Sequence, residues 1–274
     1  MSRTREGGAT PLAPRDGFGL DAIPAELWKR LRSGRPRLLL LDYDGTLAPF
    51  HVERMRARMP GPTERALRRI AGELRDIVAI VSGRPLDELI ALTGELPVHL
   101  VGSHGWQQRT AEGHRLDESP PPLVAERLAL AHAGAAEAGW GDLLEAKPAA
   151  VMLHTRALPL AEAMAVTRDC TALWQRLFVR EGIELLVVDG GLELRAAGRD
   201  KGQVVRALRR RHAEARVVAY LGDDSADETA FEALRLDGVT VRVGADERPT
   251  RALWRLESPQ AVARFLEHWA NALD

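Results

Sequence analysis

Cysteine is nearly absent. Cys170 is the one thiol in 274 residues, which excludes an internal disulfide and fits a reducing compartment. Its place in a Leu- and Trp-rich helical pattern reads as a buried, inert thiol. Charge of one sign is lacking too: 38 basic residues against 39 acidic ones leave a formal net charge of -1. No global field then favours nucleic acid or an anionic membrane. The run Arg209-Arg210-Arg211-His212 falls at an expected helix C-terminus, where cations suit the dipole, so nucleic acid is not expected as a partner. No stretch reaches the roughly 18 apolar residues of a membrane span, and Met1 to Leu20 carries arginines without an apolar h-region. No membrane association and a cytoplasmic location are expected. Neither a P-loop nor a Gly-x-Gly-x-x-Gly after a strand is found, which argues against nucleotide binding.

What is present is ample apolar content, 45% of the chain, enough for a packed core of one large or two modest domains. The informative stretch is Arg37 to Leu47, a short apolar run ending in Asp42-Tyr43-Asp44-Gly45-Thr46. It is too brief for a helix and reads as a buried parallel strand. Asp42 and Asp44, two apart, share one side of the extended chain, and Gly45 lets the backbone turn away. Two acids so close call for a bound cation, a shared proton or a nearby lysine.

The same logic recurs along the chain. Apolar strands at Ile77–Val81 and Val98–Val101 end in Ser82-Gly83-Arg84-Pro85 and Gly102-Ser103-His104-Gly105. The strand Val217–Leu221 ends in Gly222-Asp223-Asp224-Ser225-Ala226-Asp227-Glu228, after a helix opened by Lys201. Between them, from about Trp106 to Arg195, hairpins and two helices replace the strand-helix alternation. The reading is an α/β protein: a Rossmann-like parallel-sheet core over residues 22–104 and 196–274, an inserted α+β domain over 105–195, and a disordered tail over 1–21. His51 to Met59 reads as a charged, solvated loop.

Two carboxylate clusters at neighbouring strand ends make a hard-oxygen site, for which Mg²⁺ is the natural occupant. Lys201 could offset the acids and grip a phosphate. In the insert, Glu145 with Lys147, and His154 with Arg156, share strand faces by the two-residue period and suit sugar hydroxyls.

Asp42-Tyr43-Asp44-Gly45-Thr46-Leu47, Ser82-Gly83-Arg84, Lys201-Gly202 and Gly222-Asp223-Asp224-x-x-Asp227-Glu228 resemble, in order, the four motifs of the haloacid dehalogenase superfamily. The insert resembles its C2-type cap. Gly102-Ser103-His104-Gly105, Glu145-Ala146-Lys147, His154-Thr155-Arg156 and Leu192-Glu193-Leu194-Arg195 resemble the trehalose-6-phosphate phosphatase family.

That resemblance implies Asp42 as the nucleophile forming an aspartyl-phosphate and Asp44 as general acid and then base. Ser82, Gly83 and Lys201 would hold the phosphoryl group. Mg²⁺ would sit on the Asp42 carboxylate, the Asp44 carbonyl and Asp223, supported by Asp224 and Asp227. His104, Glu145, Lys147 and Arg156 would contact the sugar, and a trehalose-phosphate synthase would be a functional partner. Ala226 and Thr155 stand where the family usually has Thr and Tyr. Glucosylglycerol phosphate and mannosyl- or glucosyl-3-phosphoglycerate therefore stay open as substrates, as does a non-catalytic sugar-phosphate-binding or scaffolding role.

Overall fold

The computed structural model describes residues 19–73, 76–188 and 190–271. The tail expected over 1–21 lies outside them as far as residue 18; Leu20, at its end, opens a 3-10 turn and packs on the core. Asp189, expected in a turn, is also outside.

In chain order the elements are α1 (Ala25–Ser33), β1 (Arg37–Leu41), α2 (Gly61–Arg68), β2 (Ile77–Val81), α3 (Leu86–Thr93), β3 (His99–Gly102), β4 (Gln107–Arg109), β5 (Arg115–Asp117), α4 (Pro122–Ala135), β6 (Leu144–Lys147), β7 (Ala150–His154), α5 (Leu160–Leu177), β8 (Ile183–Val188), β9 (Gly191–Ala196), α6 (Lys201–Arg211), β10 (Val217–Gly222), α7 (Glu228–Ala233), β11 (Val239–Val243), β12 (Trp254–Leu256) and α8 (Pro259–Asn271).

Eight strands form one sheet in the order β12-β11-β10-β1-β2-β3-β4-β5, parallel from β12 to β3. All of β1 is buried because both faces of the sheet are covered. Leu39 and Leu41 pack with Leu67, Phe265 and Trp269 on one face; Leu38 and Leu40 pack with Val205, Leu208 and Phe231 on the other. The chain leaves β1 toward β2 on one side and returns through β10 on the other. This switch point opens a crevice at the carboxyl ends of the two strands.

The second sheet is antiparallel, in the order β6-β7-β9-β8. Its own apolar cluster, including Val151, Leu153, Leu192 and Leu194, packs against Leu128 of α4 and Trp174 of α5. Cys170 is buried there, as expected, and burial pushes its thiol up to about 12. One hairpin differs from expectation. β4 and β5, read as part of the insert from residue 105 on, extend the eight-stranded sheet as antiparallel strands. The reason is local: positive φ at Ser103 (49°), His104 (55°) and Gly105 (106°) folds the chain back onto β3. Gln107 Oε1 then accepts hydrogen bonds from Leu86 N and Ser103 Oγ.

A buried ion pair fastens the core. Arg37, fully buried, donates Nε to Asp76 Oδ2 at 2.8 Å, and Trp269 Nε1 donates to the same oxygen at 3.2 Å. Asp76→Ala would strand a buried guanidinium, and a loss of about 3–5 kcal/mol is expected in urea denaturation. Arg37→Met added to it should recover much of that loss; a single variant as stable as wild type would show that the Leu31 and Trp269 carbonyls alone satisfy Arg37.

Candidate active site

The loop after β1 delivers side chains alternately. Asp42 and Asp44 face the crevice, Tyr43 and Leu47 enter the core, and Tyr43 Oη donates to Ala57 O at 2.9 Å to tie the loop down. Gly45 has φ 77°, and a Cβ there would stand 2.2 Å from Asp223 Oδ2. Only glycine lets the two acidic loops close on each other. Thr46 completes the junction by donating Oγ1 to Asp223 Oδ1 at 2.9 Å.

Asp227 is the hub. Its Oδ1 accepts from Lys201 Nζ at 2.7 Å and Tyr220 Oη at 2.6 Å; its Oδ2 accepts from the Asp223 and Asp224 backbone N–H groups at 2.9 and 2.8 Å. Lys201 Nζ also lies 2.9 Å from Asp42 Oδ1. Lys201 reaches this position because α6 presses against α7 at Gly202, where a Cβ would meet Thr229 O at 2.3 Å.

Burial, helped by the charges of Asp227 and Asp44 and opposed by Lys201, pushes the Asp42 carboxyl up to about 7. Burial also pushes Asp223 well above the usual carboxylate range, with Asp42 and Asp227 adding to it. The Lys201 ammonium would be lowered by burial, but Asp227 and Asp42 outweigh this and hold it above an ordinary lysine.

Ligand oxygens of Asp42, Asp223 and Asp227 converge within 4.8 Å of one another. Three buried carboxylates against one ammonium leave the cluster short of positive charge, and its donors are hard oxygens, so the residues fit a small divalent cation. Among the described residues Asp227 carries four side-chain hydrogen bonds, whereas the side-chain contacts of Asp42 with Lys201 and of Asp223 with Thr46 both use Oδ1. Asp224 stands apart: its Oδ1 caps the next turn by accepting from Ser225 N at 2.6 Å.

Arg84, quoted in a motif but given no role, grips Asp44 with Nε at 2.5 Å and Nη2 at 2.7 Å. Ser82, at the end of β2, lines the same crevice and accepts from Arg84 N at 3.2 Å.

The four-stranded sheet faces these groups with a polar row. Glu145, Met152 and Glu193 stand opposite one another across β6, β7 and β9. Lys147 Nζ donates to Glu193 Oε1 at 3.0 Å. His104 Nε2 lies 3.0 Å from Glu193 Oε2, off the line of a hydrogen bond. Burial holds the His104 imidazole below its ordinary value although Glu193 opposes it. Glu193 was missed as a site residue; its alternation with the buried Leu192 and Leu194 was the available signal. His154 Nε2 pairs with Glu145 Oε2 at 2.8 Å. Arg156 does not share its strand face, because β7 stops at His154 and the Arg156 guanidinium lies 4.0 Å over Phe50 instead. Between the two sheets is a cavity of about 710 Å³, lined by Asp42, Ser82, Lys201 and Asp223 on one side and Glu145 and Lys147 on the other.

A parallel sheet with carboxylates at its central strand ends and a mixed α/β insert above them is a fold shared with a haloacid dehalogenase-like hydrolase from Bacteroides thetaiotaomicron, which superposes with a TM-score of 0.58 at 17% identity, covering 85% of this chain and 99% of that one. The C-terminal domain of a Candida albicans trehalose-6-phosphate phosphatase superposes with a TM-score of 0.80, covering 90% of this chain and 96% of that one at 22% identity. The chain belongs to the trehalose-phosphatase family, whose model matches residues 40–260, and is a phosphatase. It is 29% identical over 236 residues to the trehalose-6-phosphate phosphatase of Escherichia coli (strain K12), spanning 85% of this chain and 86% of that protein. It is 30% identical over 252 residues to a bifunctional trehalose-6-phosphate synthase/phosphatase of Thermoproteus tenax, spanning 91% of this chain but 33% of that protein.

Proposed function

We propose that the protein hydrolyses trehalose 6-phosphate to trehalose and phosphate through an aspartyl-phosphate on Asp42. The observation that carries this reading is one cavity of about 710 Å³ in which the buried Asp42–Lys201–Asp227 cluster faces the polar row of Glu145, Lys147 and Glu193. The volume suits a disaccharide phosphate.

In this reading the Asp42 carboxylate attacks phosphorus and the P–O bond to the sugar breaks. Asp44 donates its proton to the departing oxygen. Asp44 then takes a proton from water as that water attacks the phosphoryl group, which frees phosphate and restores Asp42. Lys201 and Ser82, beside Gly83, hold phosphoryl oxygens; Glu145, Lys147 and His104 accept the sugar, with Arg156 at the cavity edge. Asp42, the Asp44 carbonyl and Asp223 would hold Mg²⁺, with Asp227 and Asp224 organising the loops around it. When bound, the cation offsets the negative charge shared by the acids and the phosphoryl group. The domain of the eight-stranded sheet, with the β4–β5 hairpin included, acts as the core, and the elements from α4 to β9 act as the cap. A synthase of trehalose phosphate would supply the substrate, as the bifunctional relative supports. A cytoplasmic site is part of the reading, supported by the single buried thiol; no helix of the described residues is long and apolar enough to cross a membrane.

The test is phosphate release with Mg²⁺ from trehalose 6-phosphate, glucosylglycerol phosphate, glucosyl- and mannosyl-3-phosphoglycerate, sucrose 6-phosphate and glucose 6-phosphate. A kcat/KM for trehalose 6-phosphate at least about 100-fold above the rest is expected of a site that hydrogen-bonds specific hydroxyls. Preference for another glycosyl phosphate would move the substrate and keep the core chemistry. No release from any would revive a non-catalytic role.

A further inference from the structure

The loop between β1 and α2, which reads in sequence as a solvated charged surface, touches the cap at two points. Phe50 stacks under Arg156. Arg54, in a 3-10 turn, forks between two carboxylates: Nη1 pairs with Glu145 of the cap, and Nη2 lies 2.6 Å from Glu88 Oε1 on α3 of the core. These carboxylates are mostly buried, with side-chain exposures of 10% for Glu145 and 16% for Glu88. The Arg54 side chain is itself 41% exposed, so what separates the bridge from an ion pair exposed at both ends is the burial of its two acceptors.

Both ends of the bridge are anchored. On the cap side, Glu145 has its other oxygen on His154. On the core side, Glu88 Oε2 accepts from Arg84 Nη1 at 3.1 Å, and Arg84 Nη2 donates to the Arg54 carbonyl at 2.9 Å. Arg54, Glu88 and Arg84 thus form a closed ring beside Asp44, from which one guanidinium arm reaches across the cleft. The planar guanidinium presents separate nitrogens to carboxylates on the two sides of the cleft, a wider span than the compact ammonium of a lysine covers. The Glu145 carboxyl, which burial would raise, is drawn down to about 2 by His154, Lys147 and Arg54, so the acceptor is charged whenever the enzyme works.

We propose that Arg54 is a positioning residue: by bridging Glu88 of the core to Glu145 of the cap, it fixes where Glu145 stands across the cavity from Asp42 and Lys201 and thereby sets affinity for the sugar. It rests on the reading that a sugar phosphate occupies this cavity with Glu145 on its hydroxyls. Arg54 itself touches no reacting atom.

Two measurements on the chain test this. In steady-state kinetics, Arg54→Ala should raise KM for trehalose 6-phosphate about tenfold with kcat within threefold, while KM for p-nitrophenyl phosphate moves less than twofold. Arg54→Lys should recover only part of that loss, and Arg54→Ala with Glu145→Ala should be no worse than Glu145→Ala alone. Multiplied losses in the double variant, an equal loss on both substrates, or an unmoved KM would overturn the proposal. The second measurement needs no substrate. Spin labels at Leu160→Cys on the cap and Leu236→Cys on the core sit at positions 78% and 72% exposed, while the native Cys170 is buried. Arg54→Ala should lengthen and broaden the distance distribution in the ligand-free protein; an unchanged distribution would overturn the bridge whichever glycosyl phosphate proves to be the substrate.

Discussion

In the Asp42→Asn variant, phosphate release should fall by about four orders of magnitude or more while the protein stays folded, the size of loss seen when a covalent nucleophile is removed. The amide is nearly isosteric with the carboxylate but has no anionic oxygen to attack phosphorus. Its effect on stability separates this prediction from mere damage. Asp42 shares one buried ammonium with Asp227, and its carboxyl is pushed up to about 7, chiefly by burial. A carboxyl raised in the folded state binds more protons there than in the unfolded chain, so stability falls as pH rises from the ordinary 3.8 toward 7. Removing that group should leave the melting temperature in chelator equal only below about pH 4, where Asp42 is protonated folded and unfolded alike, and above wild type by a margin that grows from pH 5 to pH 8. Turnover within tenfold of wild type would take the covalent role from Asp42. A fall in melting temperature accompanying lost activity would make the loss structural.

Strand identity, the polar clusters at strand ends and the acidic convergence could all be anticipated, because each is a local pattern: four to six apolar residues, then carboxylates and glycine. What the local pattern does not contain is the partner across the fold. The row of Glu145, Met152 and Glu193 depends on β7 lying between β6 and β9, an order fixed by packing. Arg84 stands two residues after Ser82, yet its partner Asp44 lies 40 residues away, on the neighbouring strand's end. Asp227, expected as a supporting residue, proves to be the one on which Lys201, Tyr220 and two backbone amides meet. The β4–β5 hairpin joined the core sheet because three consecutive positive-φ residues reverse the chain; Gly105 and, more weakly, His104 are types that favour this conformation, but Ser103 carries no such signal. Arg54 looked like surface because its charged neighbours are local, whereas Glu88 and Glu145 are brought to it by tertiary structure.

That hub role sharpens the expected effect of divalent metal. Chelation should abolish phosphate release and added Mg²⁺ restore it. The folded protein should also report the cation directly, because anything bound only by the native state stabilises it. At about 100 times Kd the gain is about 2.7 kcal/mol. For a chain of this size, that corresponds to a rise in melting temperature of roughly 5–10 °C. The two acids beside Asp42 should then behave oppositely. Asp223→Asn leaves its neighbours' hydrogen bonds largely in place and lowers the negative charge, so the protein in chelator should be no less stable, yet the Mg²⁺-dependent rise should vanish. Asp227→Asn strips one of the two carboxylate partners from the buried Lys201 and puts an NH₂ group against the donors of Tyr220 or of two backbone amides, so stability in chelator should drop by about 3–5 kcal/mol. With the Asp42 and Asp223 carboxylates intact, part of the Mg²⁺ rise should survive. A rise that persists in Asp223→Asn would place the cation away from these strand ends. Equal behaviour of the two variants would mean that Asp227 is a ligand rather than the hydrogen-bonded hub that aligns Lys201 with Asp42.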